Sequence, residues 1–255
     1  MTGGGPLVGI LGGMGPAATA DFYDKLIRAT PAETDQEHLR VVIWADPTVP
    51  DRTAALLDGG ADPAPFMERG ARALKEAGAD LIAVPCNTAH AFLLGIGARL
   101  GVRIIHMIEE TARHIEAMSP PVHRVGILAT TGTVKARLYQ DSLSRAGRSV
   151  VLPDAGEQAV IMRVIRDVKA GDTGPQVRRR ISEITGALAA RGAQAVVAGC
   201  TELPLVLHAE TVPVPVADPA RILADAVVAQ ARRIAGSGPS PNAPMCGPSG
   251  GCRRG

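Results

Sequence analysis

The stretch Ala79-Asp-Leu-Ile-Ala-Val-Pro-Cys86 returns later in the chain as Ala193-Gln-Ala-Val-Val-Ala-Gly-Cys200. Each is an apolar run that follows a glycine placed to end a helix, in Ala77-Gly78 and Arg191-Gly192. Each closes on a cysteine. Further upstream, Leu7-Val-Gly-Ile-Leu-Gly-Gly-Met-Gly-Pro16 is echoed by Arg124-Val-Gly-Ile-Leu-Ala-Thr-Thr-Gly-Thr133. In both, a strand leads into a turn of small residues and then into helical spacing, over residues 17–30 and 134–146. Downstream, Val102-Arg-Ile-Ile-His-Met-Ile108 answers to Val212-Pro-Val-Pro-Val-Ala-Asp218. Repetition at this scale predicts two halves of similar fold.

The apolar runs, Val41-Val-Ile-Trp-Ala45 among them, suit strands buried on both faces. Strands alternating with helical stretches predict an α/β fold: two similar parallel-sheet domains related by pseudo-two-fold symmetry. Residues 1–105 with 217–235 are assigned to an N-terminal half carrying Cys86, and residues 106–216 to a C-terminal half carrying Cys200. In such folds ligands bind at the carboxyl ends of strands. The turns at 12–16, 86–90, 130–133 and 200–204 all fall there, so the active site is expected in the cleft between the halves. Residues 236–255 are Gly, Pro, Ser and Arg with almost no aliphatics, and are expected to form a disordered tail. Its Cys246 and Cys252 match no usual zinc spacing.

Composition narrows the function. The 27 basic and 25 acidic residues leave a net charge of +2, which gives no reason to expect a nucleic-acid partner. Aromatics make up 2%, too few for base-stacking platforms. No apolar run reaches membrane-spanning length, and the first residues lack the basic and apolar segments of a secretory signal. The expected location is the cytoplasm, where thiols stay reduced. No His-x-x-x-His or Cys-x-x-Cys pair supports a metal. Gly12-Gly-Met-Gly-Pro16 is not a dinucleotide fingerprint, because its spacing is wrong and no acid follows for a ribose. A tight turn whose amides face an anionic substrate fits it better.

One such cysteine would be read as a small buried hydrophobe, a common fate of free thiols. Two at equivalent positions read differently. A pair of thiols can remove a proton from one face of a carbon and return one to the other. Each is followed by a credible helix start, which lowers a thiol pKa from about 8.5 and offers N–H groups to a carboxylate. Asn87, Thr88 and Thr201 stand at those starts. His90 and His106 are read as packing or capping residues, with assistance to proton transfer as the alternative.

The motifs Gly12-Gly-Met-Gly-Pro16, Asp46-Pro-Thr-Val-Pro-Asp-Arg-Thr53, Pro85-Cys-Asn-Thr-Ala-His90, Ala129-Thr-Thr-Gly-Thr133 and Gly199-Cys-Thr-Glu-Leu-Pro204 resemble the aspartate/glutamate racemase family. Asp35-Gln-Glu-His38 and the Asp-Pro-x-x-Pro-Asp-Arg-Thr segment resemble its aspartate branch. The resemblance runs from about residue 7 to about residue 235. It implies a cofactor-independent amino-acid racemase, usually a homodimer, with Cys86 and Cys200 as the two bases. It also implies that Asn87, Thr88, Thr131 and Thr201 hold the α-carboxylate, with Met14 and Glu202 in the pocket. Arg52 would bind a side-chain carboxylate, joined by Lys169, although Arg163 and Arg166 lie near enough in sequence to take that place. The expected substrate is aspartate, with glutamate or another amino acid as alternatives. A single-thiol decarboxylase or isomerase of small diacids, or a non-catalytic binder of small molecules, is the competing reading.

Overall fold

The computed structural model describes residues 5–236. In chain order its elements begin β1 (Leu7–Gly12), α1 (Pro16–Ala29), β2 (Arg40–Ala45), α2 (Arg52–Leu57), α3 (Ala64–Glu76), β3 (Leu81–Ala83), α4 (Ile96–Leu100), β4 (Arg103–Ile105) and α5 (Met107–Glu116). They continue β5 (Arg124–Ala129), α6 (Thr131–Lys135), α7 (Leu138–Arg145), β6 (Ser149–Val151), α8 (Ala155–Lys169), α9 (Pro175–Ala190), β7 (Ala195–Gly199), β8 (Val216–Ala217) and α10 (Pro219–Gly236). Both sheets are parallel and four-stranded. Their orders, β2-β1-β3-β4 and β6-β5-β7-β8, are the same pattern. The α/β fold with two similar sheets is therefore the architecture the repeat predicts.

The repeated Val-Gly-Ile-Leu strand has a steric reason. Gly9 and Gly126 occupy equivalent places in β1 and β5, each beneath a helix and beside the neighbouring strand. A Cβ on Gly9 would come 3.2 Å from Ile82 and 3.3 Å from Leu74 of α3. On Gly126 it would come 2.8 Å from Val196 and 3.2 Å from Leu188 of α9. Close helix-to-sheet packing needs the missing side chain in both halves. Around these points Leu74, Ile82 and Leu11 build one core, and Leu188, Val196 and Ile165 its counterpart.

Helix α10 returns from the second sheet to the first. Leu223, Val227 and Val228 pack with Phe22 and Leu26 of α1 and with Val8 and Ile10 of β1. Ile222 joins α5 and α7 in the other core, through Ile108, Ile115 and Leu143. One helix thus touches both halves. No helix among the described residues is long and apolar enough to cross a membrane. The tail cysteines, Cys246 and Cys252, lie outside the described residues.

Two local expectations are revised. The chain after Cys86 and after Cys200 does not enter an α-helix. It forms short 3-10 turns, Thr88–Phe92 and Leu203–Leu205. Gly95, at φ 76°, redirects the first after Leu93 and Leu94, and Pro204 stands within the second. A single 3-10 turn lacks the aligned peptide dipoles of a long helix. The stretch expected as one helix over 134–146 is two, α6 and α7, broken where Arg137 adopts a left-handed backbone at φ 55°.

Candidate active site

Cys86 and Cys200 leave the carboxyl ends of β3 and β7, the matching inner strands of the two sheets. They line one cavity, and both are buried. The halves meet across it. Thr88 Oγ1 lies 2.9 Å from Thr130 Oγ1 and 2.8 Å from Thr133 Oγ1 of the other half. Thr130 also caps α6 by accepting from the Thr133 amide at 3.2 Å. Between the thiols there is about 20 Å³ of free space, room for little more than one water. A larger pocket of about 330 Å³ adjoins it and shares Met14, Asp51, Arg52, Lys169 and Glu202.

The two thiols have different neighbours. Cys200 donates its S–H to Glu202 Oε2 at 3.0 Å, and Thr201 reaches the same oxygen at 3.5 Å. Glu202 is 3% exposed. Burial, and then the adjacent Glu202 charge, push the Cys200 thiol well above its ordinary value, while Lys169 works in the opposite direction. Glu202 is therefore poorly suited to hold a substrate carboxylate, since like charges repel. It suits a proton or an ammonium group.

The cationic side is built by Arg52, the first residue of α2. Asp51 caps that helix by accepting from the Ala54 amide at 2.8 Å. Arg52 donates to the carbonyls of Val49 at 3.2 Å, Pro50 at 3.0 Å and Met14 at 3.1 Å. It is 9% exposed, no carboxylate among the described residues lies within ion-pair distance, and its Nε has no partner. A buried guanidinium without a counter-ion is costly unless an anion completes it. Lys169, the last residue of α8, is exposed at the rim of both spaces, whereas Arg163 and Arg166 line neither.

Against this geometry stand the known proteins. The sequence model of the family described as Asp/Glu/Hydantoin racemase matches residues 11–227. The chain belongs to the Asp/Glu/hydantoin racemase family. The broad specificity amino-acid racemase RacX of Bacillus subtilis is 30% identical over 226 residues, covering 87% of this chain and 96% of that protein. The aspartate racemase of Picrophilus torridus superposes with a TM-score of 0.79 at 32% identity, over 89% of this chain and 95% of that one. Glutamate racemase from Francisella tularensis, at 16% identity and a TM-score of 0.66 over 90% of this chain, shares the fold. The protein is a racemase, and so an isomerase.

Of the racemase's expected site residues, Met14, Arg52, Cys86, Asn87, Thr88, Lys169, Cys200, Thr201 and Glu202 line the space between the thiols. Thr131 does not. Its amide faces Met162 Sδ at 3.3 Å and its hydroxyl receives Gln158 Nε2 at 3.3 Å, both on α8, and Thr130 takes its place in the wall. The capping geometry turns one threonine inward and the next outward. The glycine turn also differs from expectation at one donor, because the Gly13 amide is taken by Thr19 Oγ1 at 2.9 Å. His90 and His106 are in ring contact, with centroids 4.5 Å apart and planes tilted by 56°, and neither lines the thiol cavity.

Tyr139 stands outside the quoted motifs, within the helical stretch over residues 134–146. It is fully buried on α7, and its hydroxyl donates to Asn87 Oδ1. That bond fixes the amide orientation and leaves Asn87 Nδ2 buried and unpartnered in the cavity wall. Tyr139→Phe removes the donor and orphans the Asn87 carbonyl. The expected loss is about 1–3 kcal/mol of stability. An accompanying rise in KM is also expected, because the amide is free to turn. Denaturant midpoints and steady-state kinetics on the same preparation check both, and an unchanged KM would separate Tyr139 from Asn87 positioning.

Proposed function

We propose that the protein interconverts the L- and D-forms of an acidic amino acid, aspartate by preference, through two-base proton transfer between Cys86 and Cys200 without a cofactor. One observation carries the reading: two buried thiols from equivalent strand ends face one cavity whose wall also holds an uncompensated guanidinium and an unpartnered amide N–H. The α-proton of an amino acid is very weakly acidic. A paired base and acid, and donors placed for the charge that develops, are what its removal requires.

In this mechanism one sulfur, as thiolate, takes the α-proton from one face. The opposite S–H then donates to the other face, and the roles exchange in the reverse direction. The Cys200 hydrogen bond to Glu202 supports a resting state in which Cys200 holds its proton. Asn87 Nδ2 and the hydroxyls of Thr88, Thr130 and Thr201 suit the α-carboxylate, whose charge grows as the proton leaves. Arg52, with Lys169 at the rim, suits the side-chain carboxylate, which would extend toward the larger pocket. Because the space between the thiols is too small for an amino acid, the walls part to admit substrate. The reading keeps the protein in the cytoplasm, where thiols stay reduced, and as a homodimer on the strength of the family resemblance.

The test is L- and D-aspartate incubated separately in D2O without pyridoxal phosphate, following optical rotation and α-deuterium by NMR. Racemisation with deuterium in the product is expected, and the absence of both would reject the reading. A panel with glutamate and neutral amino acids decides the substrate. The name of the Bacillus subtilis relative favours a second reading, of broad specificity, and comparable rates on neutral amino acids would establish it.

Glu202→Gln tests the assigned resting state. The substitution removes a negative charge beside Cys200 but leaves its burial. The thiol therefore ionises more readily, and its alkylation by iodoacetamide is expected to move to lower pH. Mass spectrometry of the modified peptide in a Cys86→Ser background reads the profile. An unmoved profile would show that Glu202 does not hold the Cys200 proton.

A further inference from the structure

The edge strands of the two sheets are not alike. β4 and β6 are three residues long and β8 is two. The fourth edge, β2, runs six residues as Arg40-Val-Val-Ile-Trp-Ala45, with no lysine or proline to blunt it. The Asp46 amide donates to the Gly12 carbonyl of β1 at 3.3 Å. With a strand period of two, the even-numbered residues of β2 therefore turn their N–H and C=O toward β1. Those of Val41, Ile43 and Ala45 turn away from the sheet, and none of them has a partner among the described residues.

The side chains beside this edge are apolar. Val41 packs with Phe22 and Leu26 of α1, so the odd-numbered residues of β2 face that helix. Ile43 is 40% exposed on this face, and Tyr23 and Ile27 of α1 are 38% and 40% exposed. These are three of the six large hydrophobic side chains exposed among the described residues, so the exposure is concentrated on one stripe. A groove between α1 and β2, lined by Tyr23, Leu26, Ile27 and Val41, continues it. A long, open, apolar edge is a template for aggregation unless something covers it. Residues 237–255 contain no strand-length run free of proline and glycine that could supply the cover.

We propose that the cover is a second copy of this chain, paired antiparallel through β2 about a two-fold axis at Ile43. The proposal rests on the homodimer of the functional reading and names its interface. Two features of the strand agree on the register. With Ile43 opposite Ile43 of the second copy, Val41 stands opposite Ala45, and every outward N–H and C=O finds its partner in a hydrogen-bonded pair. On the other face the exposed Arg40, which has no carboxylate partner among the described residues, comes opposite Asp46 of the second copy. The Asp46 carboxylate meets its own Arg69 only at 3.4 Å, which leaves it able to take a second cation. The axis stands perpendicular to the sheet, so both copies of α1 lie on one side, and Tyr23 and Ile27 of the two close over the seam. The two four-stranded sheets that meet there become one of eight strands.

Analytical ultracentrifugation of the full-length chain is expected to show a dimer. Ile43→Lys sets like charges opposite each other at an exposed position. It should raise the dimer dissociation constant by at least about a hundredfold while the circular dichroism spectrum stays that of the wild type. Ile43→Cys, with Cys246 and Cys252 replaced by serine, brings two thiols onto Cα atoms about 5.5 Å apart, within disulfide reach. It should cross-link the dimer under mild oxidation. Ala45→Cys, also exposed, lies four residues along the ladder from its own copy, about 13 Å away, and should not. A dimer that Ile43→Lys leaves intact, or that Ile43→Cys fails to cross-link, would place the interface elsewhere and leave the homodimer standing. A monomeric wild type would overturn both, and slow amide exchange at Val41, Ile43 and Ala45 in that monomer would give the edge to residues 237–255 instead. None of these readouts uses racemase activity, so the racemase reading stands or falls separately.

Discussion

Serine at either Cys86 or Cys200 is expected to lower racemisation of aspartate by at least about three orders of magnitude, within the range by which a positioned acid or base accelerates a reaction. Serine keeps nearly the same shape and a hydrogen-bonding group. Its hydroxyl is far less acidic than a thiol, so it serves poorly as the base and as the proton donor. Each single variant retains one complete thiol on one face. In D2O, Cys86→Ser and Cys200→Ser should therefore each exchange the α-proton of only one enantiomer, and opposite enantiomers for the two variants. Both thiols are buried, so folding is checked by the coincidence of thermal transitions with the wild type. A variant that racemises at the wild-type rate would remove its cysteine from the mechanism. Exchange of the same enantiomer by both variants would contradict their placement on opposite faces of the substrate.

Arg52→Met is expected to lower kcat/KM for aspartate by about a hundredfold relative to alanine. A charge-assisted contact of this kind is worth about 1.5–3 kcal/mol, and the lost partner leaves a carboxylate to be desolvated without compensation. The comparison with alanine matters because Arg52 has a second task. Its guanidinium ties the carbonyls of Val49, Pro50 and Met14 together, so its removal also loosens the turn around the site. That general loss affects both substrates and divides out of the ratio. Lysine at this position restores charge but not the planar fork, and should recover the ratio only in part. An unchanged aspartate-to-alanine ratio in Arg52→Met would place the side-chain carboxylate elsewhere.

Much of this was legible in the chain because the chain says it twice. The runs ending at Cys86 and Cys200 are read as strands from one another as much as from their own composition. The recurrence of Val-Gly-Ile-Leu reflects two equivalent glycines packed under α3 and α9. What the sequence conceals are contacts between residues far apart in it. Nothing near Asn87 announces that Tyr139, 52 positions away, orients its amide. Thr130 and Thr131 are indistinguishable in a row of small polar residues until the cap of α6 turns one inward. The helix starts expected after the cysteines fail for a local reason, since Gly95 and Pro204 end or constrain the chain before a regular helix is established. Arg52 and Lys169 lie in separate halves, and only the facing of those halves brings them to the same rim.

The internal repeat is broken where it matters chemically. Two residues beyond Cys200 stands Glu202; two residues beyond Cys86 stands Thr88. Mirror-image substrates have the same free energy in water, and on the proposed mechanism they share one transition region. The quantity kcat/KM, which measures the climb from free enzyme and substrate, must then be equal in the two directions however unequal the thiols. A carboxylate beside only one of them cannot make the enzyme favour one enantiomer at equilibrium. It can make one enantiomer bind more tightly and turn over more slowly by the same factor, so that the direction of flow in a cell is set by which mirror form is drawn away.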